Sequence, residues 1–482
     1  MREHLKLAAK ATYTYSSILL ATTSSFACCN FEHREICVIK KFLIPGVLAR
    51  CKQACYVSFL RHSLGIGSLL NKLGGPEIDD IRGSPRIVLH FDLHCASFVL
   101  RACVCHVLFM SKPLMRIPYT GPLPPALIIP ETARTLRGAA TAIAEFLTAR
   151  PTANSNGKDK TVLLTGAGIS VASGLADYRG QNGTYTRNKT YRPIYFHEFV
   201  SSHEARKRYW ARSFLGWTSL HKSRPNAAHY AVRDLSKQSL LTSVITQNVD
   251  SFHGRAHPNL PVIELHGFLR SLVCLSCRRL MPRDEFQKWL SKLNPAWDEF
   301  LQELLKTGAL DTEDPEERRK KGYRTNPDGD ADVPGAPYHT FRYPACPECL
   351  RRAPILKDGT KGRVEVDSDG AWSEKSDSGI LKPNVIMFGE SIPSEVKTQA
   401  EEAIDEAGRL MIIGSSLATY SAWRLVKKAF DQGMPIGIVN MGGVRKEAEF
   451  FPNHESHTDG RDVVRASLAV EEVLPEVVKL IK

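Results

Sequence analysis

From Lys160 onward the chain alternates short apolar runs with longer amphipathic or polar ones. Thr161–Leu164, Leu241–Ile245, Leu410–Ile413 and Ile436–Val439 read as strands. Strands separated by helix-length segments predict an α/β fold, a parallel sheet covered by helices. Upstream, a Pro-rich stretch (Pro118, Pro122, Pro124, Pro125, Pro130) precedes a helix-like run, Thr132 to Ala149, that leads into the core. Two segments interrupt the pattern. Between Asn294 and Pro344 the chain is hydrophilic, dense in Glu, Asp, Arg, Pro and Gly around Asp311–Pro337, and a second polar stretch runs from Lys357 to Gly379. Both predict surface excursions rather than core. Residues 1–114 hold no sustained period. Their apolar stretches, such as Phe42–Val47 and Ile87–Leu89, are scattered among cysteines and basic residues, and no fold is assigned there.

Composition changes this picture little: 43% hydrophobic and 24% charged residues describe a core-forming globular protein, and 482 residues exceed one ordinary domain. Charge is more informative. The net charge is +13, and the first 114 residues carry 14 Lys and Arg against 7 Asp and Glu, so the excess is concentrated at the N-terminus. No module interleaves basic and aromatic residues, so no specific nucleic-acid partner is expected. The longest apolar run, Phe91 to Met110, is interrupted by Asp92, His94, Arg101 and His106. It reads poorly as a membrane span, and a soluble protein with no membrane partner is expected. The first thirty residues are rich in Ser, Thr and Ala with Arg2, Lys6 and Lys10 against Glu3, a composition compatible with a mitochondrial presequence. Two other readings stay open: that the segment lacks order, and that it is not part of the natural product, which would start at Met115.

Eight of the twelve cysteines precede Met115, and the other four form two CxxC pairs, Cys274/Cys277 and Cys346/Cys349. Such pairs beside a nucleotide-binding pattern point to a reduced compartment and a metal rather than a disulfide framework. Four thiolates are the tetrahedral set that zinc prefers in closed structural sites. Between the pairs lie 68 residues, far more than in an ordinary zinc ribbon, which predicts an insertion (295–344) inside a zinc module of about 268–356. Filled by four sulfurs, this zinc would have no open position and would not be the catalyst.

The first strand ends in Gly166-Ala167-Gly168-Ile169-Ser170. Glycines there allow a diphosphate to approach the backbone, and a following helix N-terminus favours negative charge. A bare GxG also marks ordinary tight turns, but this one continues into Ser173-Gly174-Leu175-Ala176-Asp177-Tyr178-Arg179. The second strand runs into Thr246-Gln247-Asn248-Val249-Asp250, and Leu265-His266-Gly267 follows. Later come Lys382-Pro383, Phe388-Gly389-Glu390, Gly414-Ser415-Ser416-Leu417, and Asn440-Met441-Gly442 at a strand end.

In order and wording these blocks resemble the sirtuin family, the NAD-dependent protein deacylases. The resemblance implies a Rossmann-like domain with an inserted zinc-ribbon module over 160–482, preceded by the 115–159 lead-in. It implies NAD as co-substrate, one structural zinc, and acylated protein lysines as partners. The acyl oxygen would attack the ribose carbon bearing nicotinamide while His266 accepts a ribose proton, giving nicotinamide, free lysine and an acyl-ADP-ribose. An imidazole suits that work because its unperturbed pKa lies near neutrality. Asn248 and Asp250 would orient the nicotinamide ribose and carboxamide, with Gln247 supporting His266. Gly166, Ala167, Gly168, Ile169, Ser170, Gly174, Asp177, Tyr178, Arg179 and Val249 would belong to the cofactor pocket. Gly414, Ser415, Ser416, Asn440, Met441, Gly442 and Val470 would hold the adenosine half. The family usually has Pro where Ala176 stands and Val where Thr419 stands. Tyr209 and Arg212, three apart on one helix face, resemble the Tyr-x-x-Arg pair with which class II members meet acidic acyl groups. The wording is similar to the mitochondrial, sirtuin-four-like branch of that class, hence an expected location in the mitochondrial matrix, with cytoplasm or nucleus as the alternative. Two other readings stay open: a protein ADP-ribosyltransferase at the same NAD site, and a catalytically quiet NAD-sensing scaffold.

Overall fold

A computed structural model describes residues 121–150, 157–187, 191–306, 324–325, 329–333, 335–452 and 460–482. The expectations for 1–114, the presequence, the alternative start at Met115 and the run Phe91–Met110 lie outside these described residues. Six strands form one sheet: β1 (Thr161–Thr165), β2 (Leu241–Thr246), β3 (Val262–Glu264), β9 (Arg409–Ile413), β10 (Ile436–Val439) and β11 (Val463–Ala466). Every pairing is parallel and the order is β11-β10-β9-β1-β2-β3. The four runs read as strands in the sequence are there, each within a residue or so of its expected bounds. β3 and β11 escaped that reading because they are three and four residues long and carry Glu264 and Arg465, which break an apolar run.

Alternation along the strands sorts side chains to two faces. Leu163, Met411, Val439 and Val464 pack with helices α1 (Leu136–Thr148), α3 (Ala227–Lys237) and α8 (Val470–Ile481). Val162, Leu164, Leu410, Ile412 and Ile438 pack on the other face with α6 (Ser394–Asp405) and α7 (Tyr420–Asp431). Both faces are covered, as a parallel sheet requires. Helix α1 starts at a Thr135 cap whose side chain accepts the Gly138 N–H, and the run expected from Thr132 opens with a 3-10 turn, Glu131–Arg134.

The chain between β3 and α6 builds a second core. Its centre is an antiparallel sheet of β5 (Leu280–Pro282), β4 (Gly267–Cys274) and β8 (Leu381–Val385) in that order, with a two-residue ribbon of β6 (Arg324–Thr325) and β7 (Ala331–Asp332) apart from it. Helix α2 (His203–Lys222) contributes Trp210, Phe214 and Leu215 to this core. Helix α4 (Arg283–Leu293) adds Phe286 and Leu290, and α5 (Pro295–Lys306) adds Trp297 and Leu301. Here the two polar segments depart from expectation. Ala331, Phe341 and Tyr343 from the first and Trp372 from the second are buried in the same cluster, and bridges pair Pro344 with Ala371 and Val366 with Trp372. A few large apolar side chains at irregular spacing anchor these stretches, so their mean polarity concealed them.

Candidate active site

β1 has β2 on one side and β9 on the other, so the strand order reverses beside it. Ligands of open parallel sheets bind beyond the carboxyl ends of the strands at such a point. β1 runs directly into Gly166, and β9 into Gly414. The Gly166 N–H donates to the Ile413 carbonyl at 3.0 Å, and that of Gly168 to Gly414 at 2.9 Å. The two backbones touch: a Cβ on Gly168 would lie 2.7 Å from the Gly414 Cα, and Gly414 itself has a φ of +60°. Above them opens a cleft of about 870 Å³, its solvent mouth included.

Fifteen of the expected residues line this cleft: Gly166, Ala167, Gly168, Asp177, Tyr178, Arg179, Gln247, Asn248, His266, Gly414, Ser415, Ser416, Asn440, Met441 and Gly442. Ile169, Ser170, Gly174, Val249, Asp250 and Val470 are not among the lining residues. Val470 is the first residue of α8, with its side chain in the core of the large sheet. Leu123, Tyr185, Phe388 and Thr419 line the cleft without having been read as cofactor residues. Phe388 stood in a recognised block; Leu123, in the Pro-rich lead-in, gave no signal at all.

Beneath the lining the amide and carboxylate cluster after β2 is joined to the glycine loop. Asn248 Nδ2 donates to the Gly166 carbonyl at 3.0 Å and to Ser170 Oγ at 3.2 Å. Ser170 Oγ in turn donates to Asp250 Oδ2 at 2.7 Å. Burial pushes the Asp250 carboxyl up; the Phe252 N–H and the Ser170 hydroxyl oppose this, while nearby Glu264 adds to it. Burial likewise raises Asp177, against the pull of the Gly180 N–H and of Arg179. Asn226, unassigned in the sequence, ties the loop from behind by donating to the Ile169 carbonyl at 2.8 Å and to Ser173 Oγ at 3.0 Å.

His266 is buried and bonded on both ring nitrogens. Nδ1 is 3.0 Å from the backbone oxygen of Gln247, and Nε2 is 2.8 Å from Ser421 Oγ. Gln247 is itself fixed: its Nε2 donates to Ser415 Oγ at 2.7 Å, and its Oε1 accepts from Thr419 Oγ1 at 2.9 Å. At the far end, fully buried Arg465 holds the loop after β10 through the carbonyls of Asn440 (3.0 Å) and Gly442 (2.7 Å), and pairs with Glu447 at 2.6 Å. Lys382 donates to the Pro383 and Val385 carbonyls and pairs with Glu390 at 3.0 Å, pinning the turn that carries Phe388.

The four thiols of Cys274, Cys277, Cys346 and Cys349 converge, each sulfur within 4.8 Å of the others. Cys274 and Cys349 are 3.6 Å apart and Cys277 and Cys346 3.7 Å. Burial pushes the Cys349 thiol up to about 12. A dication reverses that cost, because a coordinating thiol is deprotonated outright. The donor set and its convergence fit a tetrahedral zinc.

Tyr209 and Arg212 are not in the cleft lining. Tyr209 packs edge-on against Phe199 and Trp210. Arg212 is buried and pairs with Asp330 from the polar insertion, Nη2 to Oδ2 at 2.8 Å, with the Tyr191 ring 5.6 Å from its guanidinium carbon. Burial disfavours its charge, and Asp330, Tyr191, Asp332 and Tyr338 together more than offset that.

A glycine-lined cleft at a sheet switch point, faced by an imidazole and flanked by a four-thiol module, defines a dinucleotide-binding α/β protein with a structural metal site. Residues 166–421 match the Sir2 family. This chain belongs to that family. It is 40% identical over 293 residues to “NAD-dependent protein deacylase SIR4” of Batrachochytrium dendrobatidis, covering 59% of this chain and 82% of that protein. It is 36% identical to “NAD-dependent protein deacylase SRT2” of Arabidopsis thaliana (60% of this chain, 67% of that one). To “NAD-dependent protein deacylase Sirt4” of Drosophila melanogaster it is 34% identical (60% and 77%).

Proposed function

We infer that this chain is an NAD-dependent protein lysine deacylase, which makes it a transferase passing the acyl group from lysine to ADP-ribose. The observation that carries the reading is the meeting of the glycine loop, Asn248 and His266 in one cleft, in a chain whose relatives are named for this activity. NAD would lie with its diphosphate over Gly166, Ala167 and Gly168, its adenosine half toward Gly414, Ser415, Ser416 and Asn440, and its nicotinamide half toward Asn248. Arg179 and Tyr178 would close over it. Ser170 and Asp250 would act from below, by fixing Asn248 and the loop. His266 would take the proton of a ribose hydroxyl on Nε2, since Nδ1 is committed to a carbonyl that can only accept. Zinc on the four cysteines would hold the smaller module in shape and take no part in the chemistry.

Incubating the protein with NAD and a panel of acyl-lysine peptides, and weighing the products, tests this. Acyl-ADP-ribose with free lysine is expected. Modified protein without deacylation would establish ADP-ribosyl transfer instead, and no NAD turnover would make the chain a sensor.

Acyl preference is proposed to lie with Arg212, Tyr209 and Asp330 together. Because Asp330 already neutralises Arg212, an acidic acyl group would have to compete with it. Location in mitochondria is proposed on the similarity to the Sirt4-named relative and the composition of the first thirty residues. Recovery of the native protein outside mitochondria on fractionation would refute it.

A further inference from the structure

Helix α7 begins behind His266, and its start carries two hydroxyls, Thr419 at the N-cap and Ser421 two residues later. Ser421 is fully buried, with Oγ 2.8 Å from His266 Nε2. On the other edge of the ring, Nδ1 faces the Gln247 carbonyl at 3.0 Å. That oxygen can only accept, so Nδ1 carries the proton, Nε2 holds the lone pair, and the Ser421 hydroxyl must be the donor. A helical serine can return its hydroxyl to its own backbone; this one is spent on the ring. Thr419 works on the same pair from the side, donating at 2.9 Å to the side-chain oxygen of Gln247, the residue whose carbonyl fixes Nδ1.

We propose that Ser421 is a positioning residue for His266, holding the imidazole in the Nδ1–H tautomer with its Nε2 lone pair formed in advance, while Thr419 braces Gln247. The inference rests on the reading of His266 as the base. Nε2 has a single lone pair, so the Ser421 hydroxyl holds it until the ribose hydroxyl displaces it as donor, and the ribose proton then passes to Nε2. Without it, the ring loses its anchor at Nε2. The two hydroxyls arrive from one helix start, which couples the orientation of the base to the seating of α7.

The test uses the full chain with Ser421→Ala and with Ser421→Cys, which keeps the side-chain volume but offers only a weak donor. Nicotinamide release, KM for NAD, zinc content and melting temperature are read for each, and again in a His266→Ala background. Both variants should lose about tenfold in kcat, the worth of one hydrogen bond, with KM for NAD and zinc content unchanged. In the His266→Ala background Ser421→Ala should add no further loss. Parental kcat in Ser421→Cys would show that only volume matters and would overturn the proposal. So would an equal loss from Ser421→Ala with and without His266. A His266→Ala protein that turns over at the parental rate would instead overturn the base assignment itself.

Discussion

His266→Ala should slow nicotinamide release by ~10²–10⁴, the usual worth of a general base. Its ring is buried between a carbonyl and a hydroxyl, so part of any loss of stability comes from leaving the Ser421 hydroxyl unpaired, about 1–3 kcal/mol. Zinc content and the circular dichroism spectrum should be retained, which separates loss of chemistry from loss of fold. Arg212 poses a different question, because its charge is met inside the protein. Breaking a buried pair by removing one partner costs about 3–5 kcal/mol, so Arg212→Met and Asp330→Asn should each lower the melting temperature. Their effects on substrate choice should differ. Asp330→Asn frees the guanidinium for an anion and should raise turnover of glutaryl-lysine relative to acetyl-lysine by about ten- to hundredfold, the range of a hydrogen bond to a charged group. Arg212→Met should not. Equal acyl ratios in parent and both variants would make the pair purely structural.

At the scale of elements, the thiol cluster joins strand β4, which ends at Cys274, to the short helix Pro347–Arg351, which holds Cys349. Zinc bound there is folding free energy for the smaller module. Cys274→Ser or Cys349→Ser should release the metal and destabilise the chain, with activity falling as a consequence. Stoichiometric zinc in a well-folded quadruple Cys→Ser variant would exclude the site. A second element-scale feature is a row of histidines behind the strand ends. His253 lies 2.9 Å from Thr165 Oγ1 and 2.8 Å from His257, and its ring centroid is 5.1 Å from that of His229. Burial, then the neighbouring His257, pushes His229 down to about 3, and burial holds His253 well below its ordinary value. Both groups titrate near 6.5 in the unfolded chain, which therefore binds protons that the folded chain refuses. Stability from these two is complete above about pH 6.5 and is lost as pH falls toward their folded values, with a slope of up to about 2.7 kcal/mol per pH unit for the two together. Asp177 and Asp250, raised by burial, act with the opposite sign above about pH 3.9. The expected result is a melting temperature that falls from pH 7 to pH 5, and falls less in His229→Gln. An unchanged slope in that variant would count against the assignment.

For the whole molecule, the earliest residue lining the cleft among the described residues is Leu123. A chain beginning at Met115 holds every described residue of the cleft and should keep the NAD-dependent activity of the full one, measured on the same peptide; its loss would give the first 114 residues a part in catalysis. Much of the rest was legible beforehand. The apolar runs of β1, β2, β9 and β10 announced a parallel sheet because both their faces are buried. The glycine loop, the Gln247–Asp250 segment and His266 stood out through their resemblance to one family's blocks, and Gly166, Gly168, Gln247, Asn248 and His266 do line one cleft. The four cysteines announced a metal because no other common role groups thiols so. These features are local: each is written in a few consecutive residues. What only the tertiary structure decided depends on partners far apart in the chain. The bond from Ser421 to His266 spans 155 residues. Arg212 meets Asp330 across the insertion, and Trp372 reaches a core from a stretch of polar neighbours. Nothing within a short window marks which hydroxyl will face an imidazole or which carboxylate will claim a buried arginine. Those choices are made when α7 seats against His266 and the insertion closes on α2, because a buried charge or lone pair must then find its partner among whatever side chains the packing brings within reach.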